Sequence, residues 1–140
     1  MPDSNFELEL DRFNAEFTAE AEAFAPQIAE QLLADILRQA HPYWSGRSMA
    51  SWVVSLEEAV KQEQTHIPKK AGAISEEEAR QISLNTLVNL GAFILGDTIF
   101  LTQGTEYLAW IEEGTWGSSP GFVAAAVSRY YGLVNLEVTM

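Results

Sequence analysis

The chain has 140 residues, a formal net charge of −12 and no cysteine. That length suits one domain with a core of its own; the missing thiols exclude a disulfide framework and thiolate metal ligation, and the surplus of acid disfavours binding to nucleic-acid phosphates. The apolar runs are short and interrupted, so none reads as a transmembrane helix, and the acidic start lacks the apolar stretch of a signal peptide, which makes cytoplasmic synthesis the expectation.

Charge is unevenly spread. Residues 1–40 hold nine acids and two arginines, residues 41–80 six acids and five bases, and residues 81–140 five acids and one base. The middle segment therefore carries Lys61, Lys69 and Lys70 against an acidic N-terminal segment. One reading is a solvated helix face plus a loop. The other is that the two segments meet on neighbouring subunits of an assembly.

In chain order, Ser4-Asn5-Phe6-Glu7 fits a capping box. Phe13, Phe17, Ala21, Phe24, Ile28, Leu32 and Ile36 then recur at spacings of three and four, which predicts a long helix with one apolar stripe within residues 1–40. Phe6, Leu8 and Leu10 alternate and also fit a short extended arm. Pro26 predicts a kink or break near Ala25. His41-Pro42 ends the helix and Tyr43-Trp44-Ser45-Gly46 makes a turn. Trp52, Val54 and Leu56 alternate with Val53, Ser55 and Glu57 as a strand. The polar, lysine-bearing stretch that follows, with Pro68 and Gly72, reads as a long loop with little apolar area to hold it. Ser75-Glu76-Glu77-Glu78 is a second capping box, opening a helix that ends at Gly96.

The most ordered stretch runs from Gly96 to Tyr131. Thr98, Phe100 and Thr102 alternate with Ile99 and Leu101, predicting a half-buried strand and an antiparallel partner for the first one. Thr105 is placed to cap a short helix, Glu106 to Glu113, and Gly114 to close it. Trp116 sits alone in a Gly/Ser loop, and Ser119-Pro120 opens a last helix. The tail NLEVTM either adds an edge strand or frays.

The series GDxIxLT, YxxxIExGT and PGFVxxAVxRY, preceded by the block SGRSMASWVVS (Ser45 to Ser55), resembles the minor tail protein Z type of tail-completion proteins of long-tailed bacteriophages. Ser45 stands where such proteins carry Thr, and Gln103-Gly104 where they carry an Asn pair. The resemblance spans roughly Pro42 to Val134. It implies an α+β fold: a small antiparallel sheet packed with a long N-terminal helix and two or three further helices. The whole chain would be one tail-completion-like domain, with residues 1–40 as the N-terminal helix, 41–134 as the core and 135–140 as a tail. It further implies a virion protein of the neck or tail, a homo-hexameric ring between the tail terminator or tail tube protein and the head connector proteins. DNA would pass through the lumen without specific binding, and no membrane would be involved.

Few residues suggest chemistry. His41 and His66 have no second ligand at metal spacing, Glu112 and Glu113 point apart on a helix, and the serines at 45, 48, 51 and 55 lack a nearby base. No phosphate-cradling or dinucleotide-binding glycine pattern stands in the required context. No enzymatic role, cofactor or metal is expected. Glu112 matches the glutamate of the family's YxxxxE motif, and since the Arg47 turn and the Glu112 helix flank the presumed partner strands, the two are expected to form an ion pair. Trp116, alone in its Gly/Ser loop, reads either as a core residue or as an interface anchor, and as an anchor it forms the candidate interface with Lys61, Lys69 and Lys70. The rival reading is an acidic regulatory module that binds a basic protein by mimicking the charge of DNA.

Overall fold

The computed structural model describes residues 4–38, 41, 43–105, 123, 126, 127 and 136–139. In chain order these form α1 (Ser4–Arg38), β1 (Trp52–Ser55), α2 (Glu76–Asn85), a 3-10 helix (Thr86–Ala92), β2 (Ile99–Gln103) and β3 (Leu136–Thr139). Helices packed beside one small sheet make the fold α+β.

The sheet order is β1-β2-β3. β1 pairs antiparallel with β2, Trp52 opposite Gln103 and Ser55 opposite Phe100. β3 pairs with β2 in parallel, Ile99 opposite Leu136. The sheet is thus mixed, not wholly antiparallel. The residues between β2 and β3 are numerous enough for the crossover that a parallel pair requires, and the tail lies along β2 as a strand. β1 is buried at all four positions, and β2 at all but Phe100. That departs from the half-buried strands expected from alternation, because α1 packs against β2 and the 3-10 helix against β1.

The outer edge of β1 is closed by side chains. Trp52 N–H donates to Ser83 Oγ at 3.1 Å, Val54 N–H to Thr86 Oγ1 at 3.0 Å, and Asn89 Nδ2 donates to Val54 O at 2.8 Å. Ser83, Thr86 and Asn89 follow one another at steps of three along α2 and the 3-10 helix, so they line one face. This polar row occupies the place of a further strand and leaves those backbone groups of the edge satisfied. It also accounts for where α2 changes to the tighter helix: Thr86 is both cap and edge partner, and its hydroxyl donates to Ser83 O at 2.7 Å. The expected start of α2 holds, with Ser75 Oγ accepting from Glu78 N–H at 3.1 Å. The helix does not run on to Gly96; the 3-10 turn ends at Ala92.

α1 passes through Pro26 without the break expected there. Proline removes one backbone donor, while the turns that follow bury Ala29, Leu32, Leu33, Ile36 and Leu37. Each fully buried Leu or Ile contributes about 1.5–3 kcal/mol relative to exposure. Arg80 Nε donates to Leu37 O at 3.2 Å and satisfies a carbonyl of the helix's last turn. The first turns differ. From Leu8 to Phe24 no described side chain is buried, and Leu8, Leu10, Phe13 and Phe24 are 65%, 47%, 62% and 45% exposed.

Candidate functional site

The block Ser45–Ser51 is the hinge of the body's polar interactions. Gly46 has φ of +90°, a left-handed conformation costly for other residues, and a Cβ there would lie 2.5 Å from Ile74 Cγ1. The turn it makes presents Ser45 Oγ to Arg47 N–H at 3.1 Å. It also aims the Arg47 side chain at the segment before α2. Arg47 Nε donates to Ile67 O at 2.8 Å, Nη2 donates to Thr65 O at 3.1 Å and also to Ile67 O, and Nη1 lies 3.4 Å from Glu63 Oε1. The guanidinium's fixed fork suits it to gripping several carbonyls at once. Ser51 Oγ donates to Arg47 O at 2.6 Å and accepts from Gln64 N–H at 3.1 Å. Ile67 is buried beneath the same segment. The stretch expected to have little to hold it is therefore tied down, by polar bonds and one apolar plug that hydropathy does not reveal.

Three further contacts set the neighbouring surface. Tyr43 Oη donates to Ile74 O. Gly72 N–H donates to Trp44 O at 2.7 Å and Ile74 N–H to Ser45 O at 3.1 Å. Lys69 and Lys70 stand on the turn between Pro68 and Ala73, where Lys70 N–H donates to Pro68 O at 2.9 Å and Ala73 N–H to Lys70 O at 3.2 Å. These bonds bring the lysine turn beside Trp44, whose side chain is 57% exposed. Lys61, Lys69 and Lys70 are all exposed, and the ion pairs among the described residues, Arg47–Glu63 and Arg80–Glu76, leave them out.

A second network joins this block to β2. Gln103 Nε2 donates to Ser48 O at 3.0 Å, and its Oε1 accepts from both the N–H and the hydroxyl of Thr105 at 2.9 Å. Gly104 N–H donates to Ser51 O at 2.8 Å. A Cβ at Gly104 would lie 2.2 Å from Gln62 O, so close backbone passage demands glycine there. Trp52 is fully buried, and its Nε1–H donates to His41 Nε2 at 3.0 Å. Only an uncharged imidazole accepts at that nitrogen.

Of the residues singled out from sequence, the structure places Arg47 against Glu63 and the carbonyls of Thr65 and Ile67. Glu112 and Trp116 lie outside the described residues, and with them the expected Arg47–Glu112 pair. Trp44 reads in sequence as a turn residue and one of four tryptophan anchors, with nothing to mark it as part of a surface. An exposed tryptophan two dozen residues from Lys69-Lys70 carries no local sign of proximity; Gly72 is the one hint of the turn that joins them. A cleft of about 600 Å³ lies between Leu56, Glu57, Ile94, Asp97, Thr98 and Phe100. Of its two carboxylates, Asp97 accepts from Ile94 N–H at 2.9 Å and so serves its own turn. Among the described residues no group of His, Asp and Glu is arranged to hold a metal ion. Comparison with protein-family models, with curated proteins and with solved structures gives no match.

Proposed function

We propose that the chain is a structural subunit of the neck or tail of a long-tailed bacteriophage, acting in tail completion or head–tail joining as a homo-oligomeric ring. The observation that supports this reading is spatial. Two of the four blocks that carry the resemblance, Ser45 to Ser55 and Gly96 to Thr102, supply β1 and most of β2, which are hydrogen-bonded neighbours. Their turn residues are tied into one network through Arg47, Ser48, Ser51 and Gln103. Motifs far apart in sequence thus serve one scaffold, as expected if they specify a shared body and not separate chemistries. The role is joining: ring subunits in the virion, contacting the tail terminator or tube on one side and head connector proteins on the other, with DNA passing through an acidic lumen that does not bind it.

The test is deletion of the gene in a phage or inducible prophage that carries it. Electron microscopy of the lysate should show filled heads and tails accumulating separately, with joining restored by supplying the protein in trans. Normal numbers of joined virions from the deletion would overturn the proposal. The exposed acids Glu9, Asp11, Glu16 and Glu20 favour one rival, a charge mimic of DNA. That rival requires a DNA-binding host protein to lose its DNA on addition of this one.

A further inference from the structure

The first turns of α1 and the Trp44 surface are complementary in the same chain, and neither covers the other: Trp44, Leu8, Leu10, Phe13 and Phe24 are all exposed. From Leu8 to Phe24 the helix shows no buried described side chain. Leu10 and Phe24 lie within about 40° of each other around the axis and on the line that continues to Ile28 and Leu32. The body buries that line from Ile28 onward, whereas Leu10 and Phe24 on it are exposed. Acids flank it: Glu9, Glu16 and Glu20 on one side, Asp11 and Glu22 on the other, against the single base Arg12. On the body, the exposed Trp44 is bound by its carbonyl to the turn that carries Lys69 and Lys70. One surface is apolar with an acidic border and the other is aromatic with a basic border. α1 is one continuous helix from Ser4 to Arg38, so its first turns cannot fold back onto its last ones without breaking.

We infer that the Leu8–Phe24 arm of one copy docks on the Trp44–Lys69–Lys70 surface of the next. This deepens the ring reading by naming its two contact surfaces, and it rests on that reading only for the closure of the ring. Trp44 supplies the apolar anchor, a role in which tryptophan is favoured. The lysines meet the carboxylates and set the register and the encounter rate more than the affinity. The contact is heterologous, one surface meeting a different one, so it propagates from copy to copy until it closes. Two acidic arms would repel each other, which disfavours a symmetric arm-to-arm pair.

Sedimentation velocity and light scattering on purified protein test this directly. The parent should show species above 15.5 kDa that dissociate as salt rises. An arm variant, Leu10→Glu with Phe24→Glu, should sediment as a monomer, and so should a surface variant, Trp44→Ala with Lys69→Glu and Lys70→Glu. Mixed together, the two variants should give a species of twice 15.5 kDa and nothing larger, since each retains one half of the contact. A parent that stays monomeric at roughly 100 µM overturns the inference. So does an arm or surface variant that assembles like the parent, or a mixture that stays monomeric while circular dichroism shows both variants folded. Should the triple surface variant unfold, Lys69→Glu with Lys70→Glu alone, both side chains being exposed, serves in its place under the same outcomes, because the reversed charges repel the arm's carboxylates. Head–tail joining in the deletion phage is read separately: joining that survives in a monomeric variant refutes this contact and leaves the virion role standing, whereas normal virions from the deletion itself refute the role.

Discussion

The two ends of α1 belong to one helix and obey different rules. Its last turns are held by the burial of Leu32, Leu33, Ile36 and Leu37 and by Arg80 on the Leu37 carbonyl. Its first turns, from Leu8 to Phe24, have helical spacing and apolar residues but bury none of the described ones. Helix propensity alone is weak support for a segment of that length in water. The arm therefore draws its helical order from the turns that the body clamps. Amphipathic spacing reports that a face is meant to be covered; it does not report by which molecule.

The difference can be broken most severely at Arg47. Arg47→Met withdraws the donors from Thr65 O and Ile67 O and leaves Glu63 without its cation. We expect a loss of about 3–5 kcal/mol, read as a fall in the urea midpoint, with lost exchange protection over residues 63–74. A loss under 1 kcal/mol would show that water replaces the clamp. Next is Gly104→Ala, where the new methyl meets the Gln62 backbone. About 2–3 kcal/mol is expected, measured in the same way, and an unchanged midpoint would mean that the Gln62 segment shifts freely. His41→Phe leaves the buried Trp52 N–H without its acceptor at a cost of about 1–3 kcal/mol. The indole emission should shift with it; unchanged stability would show that the indole finds another acceptor.

Smaller effects sharpen the contrast. Thr102 Oγ1 is buried without a hydrogen-bond partner, so Thr102→Val should be neutral or stabilising by up to about 1 kcal/mol. A clear loss would reveal a bond that the hydroxyl makes in solution. The smallest effect belongs to the arm. Leu10→Glu should change the stability of the body by less than about 0.5 kcal/mol, and amides of residues 8–24 in dilute protein should exchange far faster than those of residues 28–38. Equal protection along all of α1 would mean that the arm is covered within the single chain.

Sequence patterns located β1 and β2 and suggested their pairing, because alternation and turn residues are local signals. Ser75 as the cap of α2 was legible for the same reason. β3 was ambiguous, because a parallel partner far along the chain leaves no mark on a six-residue tail. The polar row Ser83, Thr86 and Asn89 was missed because Thr86 reads as part of an apolar face. Its hydroxyl matters only once β1 is known to lie beside it. The clamp on residues 63–74 was hidden for a related reason: Arg47 was legible as a paired arginine, but carbonyl acceptors some twenty residues on leave no mark in sequence. Trp44 was legible as a residue and illegible as a surface, since its neighbours Lys69 and Lys70 arrive through a backbone bond to Gly72. The motif series between β2 and β3 lies largely outside the described residues; the role given to Glu112 rests on the resemblance, and that given to Trp116 on its isolation in a Gly/Ser loop.

The order of the elements along the chain has a consequence for how the molecule is made. α1 is synthesised first, yet it packs on β2, and β2 is finished only at Gln103. At synthesis rates of about 5–20 residues per second, Leu32, Leu33, Ile36 and Leu37 wait seconds for the surface that will cover them. β1 waits for its partner over the same interval, and β2 waits again for β3. The nascent chain thus carries an apolar helix without a home, and its acidic residues help to keep that helix soluble until the strands arrive. The distant pairings also place refolding among the slower small domains, in milliseconds to seconds. Stopped-flow refolding in microseconds would contradict this.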